Sequence, residues 1–290
     1  MTLYRIRFEL RSAIITPLKG DTIWGHIVWG IANHEGDEAV EKFLEQEKSD
    51  TPELVVSSAF PAGMICKPLP TPKDRNEELS ISKYSEIKKN KKIKYVSASE
   101  YFDNAENSDE VKEEPLKTVQ VMHNTIDRIT NTVVDSGLYP VEEKWPQSVN
   151  WDFYVLSVLP TDRIKQLTEW AFENGYGADA STGKGRIHIT SEPVPVKLKK
   201  QGNSYMALGP FVDSKNNLSN IRADIFVRSG KVGGAFAVSL SPYKKPVVLY
   251  DEGAVFTSNQ PIDYAGVLLT NMHGGDSRIC QSGFAPVIPI

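Results

Sequence analysis

The chain opens on a clean alternation. Tyr4, Ile6, Phe8 and Leu10 fall on one side and Arg5, Arg7, Glu9 and Arg11 on the other, which predicts a half-buried strand with a basic outer face. "TPLKG" breaks the alternation, and the period then changes. Ile23, Ile27 and Ile31 share a face with Val28, so a helix follows, with Asp21 as its candidate cap. "ELVVSSAF" and "GMICKPLP" predict two short strands. Strand, helix, strand, strand is the opening of a ferredoxin-like unit.

The same opening recurs near residue 150. "NWDFYVLSVL" predicts a strand that feeds a helix in "TDRIKQLTEWAFENG", where Ile164, Leu167 and Ala171 line one face. Thr161 is placed to cap that helix and Gly175 to stop it. Short strands follow: "PVPVKLK", "GGAFAVSL", "PVVLY", "YAGVLLT" and "SGFAPVIPI". The expected fold is α+β, with two ferredoxin-like (RRM-like) domains built on antiparallel sheets, residues 1–145 and 146–290. A charged insertion over about 70–117 interrupts the first. It holds six lysines and one glutamate between Lys83 and Lys94, then seven acidic residues and one lysine between Glu100 and Glu114.

Composition narrows the function. Thirty-three basic against 37 acidic side chains give a net charge of −4, so any RNA site must be local. "MTLYRIRFEL" lacks the apolar core of a signal peptide, and "IWGHIVWGIA" is too short to span a membrane, which points to the cytoplasm. Cys66 and Cys280 have no metal-ligand spacing around them. The five histidines form no H-x-x-x-H pair, and no G-x-S-x-G elbow is present, so neither a metal nor another cofactor is expected.

The glycine-rich "GADASTGKGRIHI" invites comparison with a nucleotide-gripping P-loop, and fails it. Gly177 to Gly183 encloses five residues rather than four, and Gly185 stands where the hydroxyl residue belongs. The order helix, loop, strand points no helix N-terminus at a phosphate. What remains is a loop whose Ser181, Thr182, Lys184 and Arg186 supply hydroxyl and cationic donors, while Gly183 and Gly185 admit a ligand close to the backbone; a plain surface turn is the alternative. "HNTIDRIT" is equally rich in hydrogen-bonding groups. His123 and Asn124 can read a base edge or a 2′-hydroxyl, Arg128 can fork onto a phosphate, and Asp127 can orient it, or pair with it as a clamp in a turn. His26 is either a packed helix histidine or an acid/base group acting on RNA.

"GDTIWGHIVWGI", "HNTIDRIT…GLYPVEE", "GYGADASTGKGRI" and "GGAFAVSLSPYKKPVVLYDEGAVF", in that order, resemble the fourth-subunit family of the Csm complex. These are RAMP-superfamily proteins of the type III-A CRISPR effector. The resemblance spans nearly all of the chain except the charged insertion. It implies a non-catalytic, RNA-binding subunit that caps the 5′ handle of the guide RNA. Its implied partners are the large polymerase-type subunit and the backbone RAMP subunit, with target RNA contacted only indirectly. The handle-facing residues it implies are Lys19, Asp21 and Thr22 in the first loop, His123, Asn124, Asp127 and Arg128 in the second, and Ser181 to Arg186 in the third. Residues 131–145 are the candidate for a hairpin wedged between handle and guide. The RAMP superfamily also contains guide-processing endoribonucleases, and in that reading His26 is the general acid/base.

Overall fold

In the computed structural model the opening alternation is a strand, β1 (Thr2–Leu10), with Ile6, Phe8 and Leu10 buried beneath it. The structure describes residues 1–70, 88, 92–106, 115–213, 218–233 and 241–290. Most of the expected charged insertion and most of "GGAFAVSL" lie outside these. After β1 come α1 (Gly20–Glu35), α2 (Asp37–Glu47) and β2 (Leu54–Pro61). Two ribbons follow: β3 (Met64–Cys66) with β4 (Tyr95–Ser97), and β5 (Leu116–Ile126) with β6 (Val133–Pro146). Then come β7 (Asn150–Ser157), α3 (Thr161–Phe172), β8 (Ile187–Ile189) and β9 (Val194–Pro195).

The first sheet has the order β2-β7-β1-β8, with β9 also on β1, and every pair is antiparallel. Taking β1, α1, β2, β7, α3 and β8 in chain order, this is the β-α-β-β-α-β arrangement of one ferredoxin-like unit. The β-α-β start that recurs near residue 150 is therefore the second half of the first sheet. β7 pairs with β1 over eight residues, so a boundary at 145/146 cuts through that sheet. Both ribbons are inserted between its second and third strands.

The sheet is covered on both faces, which explains why β2 and β7 read as nearly continuous apolar runs. Every residue of β2 is buried, and so is every residue of β7 except Asn150. One face packs under α1, α2 and α3 through Ile23, Ile27, Phe43, Ile164 and Leu167. The other packs against the second sheet through Val55, Tyr154, Met206, Leu208 and Phe284. The outer face of β1 is less open than its arginines suggest. Arg7 forks onto buried Asp152, its register partner on β7, at 2.8 and 3.1 Å, and Asp152 also accepts the Gly63 N–H at 2.8 Å.

Beyond β9 the chain is strand-rich: β10 (Ser204–Ala207), β11 (Ser219–Arg222), β12 (Ile225–Arg228), β13 (Val247–Tyr250), β14 (Val255–Thr257), β15 (Tyr264–Leu269) and β16 (Gln281–Pro289). Five of these form a second antiparallel sheet, in the order β11-β14-β10-β16-β15, while β12 and β13 form a separate ribbon. Among the described residues this half carries no helix of its own. The described residues also contain no helix long and apolar enough to cross a membrane.

Glu47, the last residue of α2, is fully buried and accepts hydrogen bonds from Trp24 Nε1 at 3.2 Å and the Leu54 N–H at 3.0 Å. Burial pushes its carboxyl up to about 8, against the two donors. Its folded pKa lies above its unfolded one, so its stabilising contribution is complete below about pH 4.5 and is lost as pH rises through about 8. Urea unfolding is expected to show stability falling between pH 5 and 9 by more than about 1 kcal/mol. In Glu47→Gln, whose amide cannot titrate, the fall should flatten whatever the absolute stability. An unchanged pH slope would assign the effect elsewhere.

Candidate nucleic-acid interface

The three segments singled out in the sequence separate into two places. Those at the start of α1 lie at the seam between the two halves. Lys19 precedes the helix, and its Nζ reaches Asp251 Oδ1 at 2.5 Å and Glu252 Oε1 at 2.7 Å. Burial works against the Lys19 ammonium, but the two carboxylates outweigh it and raise its pKa. Asp21, instead of capping α1, accepts Arg228 Nε and Nη2 at 2.7 and 3.0 Å and Gln281 Nε2 at 3.1 Å. Thr22 lies beside the Tyr176 hydroxyl, which donates to the Pro17 carbonyl at 2.6 Å. The charges of Lys19 and Asp21 are thus committed within the fold.

His26 is committed as well. Its Nε2 accepts the Gly177 N–H at 3.1 Å, its ring lies 4.9 Å from that of Tyr176, and burial pushes its pKa down to about 4. At neutral pH it holds no ionising proton to give, and the lone pair that could take one is occupied. This is the packed-histidine arrangement.

The glycine-rich loop is built by its backbone. Gly177, Asp179, Gly183 and Gly185 all have positive φ, at 75°, 58°, 95° and 64°. The loop is closed by the Tyr176 N–H on the Gly185 carbonyl (2.9 Å) and laced to residues 11–16. Gly185 N–H donates to the Ala13 carbonyl at 2.8 Å, Ala178 N–H to Thr16 Oγ1 at 2.9 Å, and Arg186 N–H to Ser12 Oγ at 2.9 Å. Lacing fixes the main chain and leaves the side chains of Ser181, Thr182 and Arg186 in solvent. Among the described residues no carboxylate pairs with Arg186.

The second and third segments meet at the base of the β5–β6 ribbon, on a residue the sequence reading passed over. Glu143 on β6 has a side chain only 1% exposed, and its Oε1 stands 2.6 Å from Lys184 Nζ and 3.6 Å from His123 Nε2. Its Oε2 accepts Trp145 Nε1 at 3.1 Å. The Lys184 ammonium paired with it holds the Glu143 carboxyl below its ordinary range. Lys184 also lies 5.4 Å from the centroid of the Trp145 ring, a cation–π distance. A signal for this cluster was present: Val141, Glu143 and Trp145 alternate, so they share one face of a strand.

From that base the ribbon runs out into solvent. Met122, Leu138 and Tyr139 are exposed along it, and Ile129 at its tip is 93% exposed. Asn124 and Arg128 are exposed too. Asp127 shapes the tip: its Oδ1 accepts the Ile129 and Thr130 N–H groups at 2.7 and 3.2 Å. It closes a turn, and among the described residues Arg128 has no acidic partner. The resulting surface has hydroxyls, cations and an exposed Asn at the loop and ribbon, with apolar and aromatic side chains between them. It has the means to hold a single strand by phosphate contacts and base stacking. No group of three metal-ligating side chains converges among the described residues.

No protein-family model matches the chain, and no curated protein matches it. Solved structures do. A Csm1-Csm4 cassette in complex with pppApA aligns over 99% of this chain and 98% of the matched chain, at 16% identity and a TM-score of 0.61. The cassette in complex with cA4 aligns over the same shares, at 15% identity and 0.62. A Csm3-Csm4 subcomplex of the type III-A CRISPR-Cas interference complex covers 100% and 99% of the two chains, at 14% identity and 0.55. Over its whole length the chain therefore has a fold found in type III-A CRISPR assemblies that have Csm4 in common.

Proposed function

We propose that this chain is a Csm4-like RAMP subunit of a type III CRISPR effector. In this reading it caps the 5′ handle of the guide RNA and bridges the large polymerase-type subunit to the backbone RAMP subunits. It serves as a binding subunit, with the chemistry carried by its partners. The observation that carries the RNA role is the junction at Glu143, where the glycine-rich loop and the exposed ribbon become one continuous surface. Ser181, Thr182 and Arg186 hold the handle from the loop side, with Lys184 and His123 at the junction. Asn124 and Arg128 hold it from the ribbon, and β6, with residues 131–145, separates handle from guide. Lys19, Asp21 and Thr22 act one step back, by fixing α1 against the second half.

Arg128 and Arg186 are the clean test, because both are exposed and removing them leaves no buried group unpaired. In the complex purified from its native operon, Arg128→Ala/Arg186→Ala is expected to lower RNA retention about tenfold or more. Loss of two phosphate contacts should also reduce the salt slope of binding by about 1.4. Stability should stay within about 0.5 kcal/mol of wild type. Full RNA occupancy in the double variant would sink the proposal, as would copurifying RNAs that share no common 5′ sequence.

A further inference from the structure

The two faces of the β5–β6 ribbon differ in kind. Side chains alternate along each strand, and register partners share a face. Tyr139, Glu143 and Trp145 of β6 therefore fall on one face, opposite His123, Val119 and Lys117 of β5. The aliphatic side chains of Met122 and Leu138 fall on the other.

On the first face the rings are held in a row by contacts already in place. Glu143 is the hub: its Oε2 accepts Trp145 Nε1 at 3.1 Å, and its Oε1 stands 3.6 Å from His123 Nε2. The His123 ring in turn lies 5.8 Å from the Tyr139 ring, at 49° to it. Pinning does not cover them, since Trp145 is 44% exposed and Tyr139 45%. A ring fixed before its ligand arrives loses little conformational freedom when the ligand stacks on it.

The charges on this face suit a polyanion. Glu143, the carboxylate between the two rings, is buried and answered by Lys184 at 2.6 Å. Lys184 also braces the Trp145 ring, and Lys117 beside that ring is exposed. Among the described residues no carboxylate pairs with Lys117. A protein partner that merely covers apolar surface has no need of such a cation, whereas a single RNA strand uses both features, with bases on the rings and a phosphate on the lysine.

We infer that Trp145 and Tyr139 are stacking platforms for two unpaired bases of a single-stranded RNA, with Lys117 on the phosphate beside Trp145. The inference rests on the reading of the glycine-rich loop and ribbon as an RNA surface, and adds to it how bases are held. Every base has a π-face, so the two rings grip the strand without choosing among bases.

The test begins with the assembly purified from its native operon, irradiated with short-wave ultraviolet light and searched by mass spectrometry for RNA-linked peptides. Cross-links are expected at Trp145 and Tyr139. Trp145→Leu and Tyr139→Leu should each lower RNA retention about tenfold, with the salt slope of binding unchanged because no phosphate contact is lost. Trp145→Phe and Tyr139→Phe keep a ring and should retain RNA within about threefold of wild type. Phenylalanine cannot donate to Glu143, so a loss in Trp145→Phe as large as in Trp145→Leu would assign the effect to that hydrogen bond and overturn the inference. So would full RNA retention in both leucine variants, or loss of a partner subunit at unchanged RNA occupancy, which would make the row a protein interface. Should a leucine variant fail to fold, the cross-links in the unaltered assembly decide alone, and their absence from both rings overturns the inference. Copurifying RNAs with no common 5′ sequence but cross-linked at both rings would support the platforms and count against the handle reading only. An assembly that purifies without RNA would overturn both.

Discussion

Replacing Asp21 with alanine is expected to destabilise the protein by about 3–5 kcal/mol, the cost of removing one partner from a buried ion pair. The side chain is 1% exposed, and it accepts two hydrogen bonds from Arg228 and one from Gln281. Those partners lie 207 and 260 residues away along the chain, so the contact ties α1 to the far half. Alanine would leave the Arg228 guanidinium facing a seam with no anion to meet it. Lys244 Nζ, which donates to Gln281 Oε1 at 3.0 Å, would share the disturbance. Urea unfolding measures the loss. The companion Asp21→Ala/Arg228→Met should recover part of it, because removing both charges is cheaper than stranding one. A variant as stable as wild type but defective in RNA retention would return Asp21 to the RNA-facing set.

The second large effect is expected at Gly185→Ala. The φ of 64° costs a residue with a Cβ about 1–2 kcal/mol. A Cβ there would also stand 2.0 Å from the Tyr176 carbonyl oxygen, which accepts no small adjustment. With overpacking of about 1–3 kcal/mol added, the total is about 2–5 kcal/mol. That loss falls on the hydrogen bonds that lace the loop to Tyr176 and Ala13, and so on the position of Lys184 and Arg186. RNA retention should fall at least as far as in the Arg128→Ala/Arg186→Ala variant, together with a lower unfolding midpoint. Gly183→Ala is the control: it shares the positive φ, but a Cβ there meets nothing within 4 Å. If the two variants behave alike, the close approach at Tyr176 is not what holds the loop.

What could be read from the sequence follows the range of the forces involved. β1, α1, β7 and α3 are set by local periodicity, and the helix-loop-strand order around Gly175 to Ile189 follows from it. Thr161 is a small exception: it begins α3 while Pro160 takes the cap position, and no side chain caps the helix. The pairing of β7 with β1 carries no local signature, and a repeated β-α-β pattern fits two half-units as well as it fits two whole ones. The roles of Lys19 and Asp21 were hidden for the same reason, since their partners Arg228, Asp251 and Glu252 are more than 200 residues distant. In the candidate surface, the polar donors were legible by residue type. The alternation of Val141, Glu143 and Trp145 puts Glu143 on one strand face, but its burial was not legible, because a glutamate in a run such as "VEEKW" looks solvated until the fold closes over it.

The insertion of both ribbons between β2 and β7 has a consequence for synthesis. A strand buried on both faces emerges first, and the strand that pairs beside it ends only at Ser157, 157 − 61 = 96 residues later. At about 5–20 residues per second, the nascent chain carries an unmatched "LVVSSAFP" for about 5–20 s. Its first sheet cannot close in the order in which it is made. Such long-range pairing slows folding and leaves an apolar strand open to wrong partners on the ribosome. The lysine and acid runs that separate the two strands in sequence are well suited to that interval, since a strongly charged tether keeps the waiting chain solvated until β7 arrives.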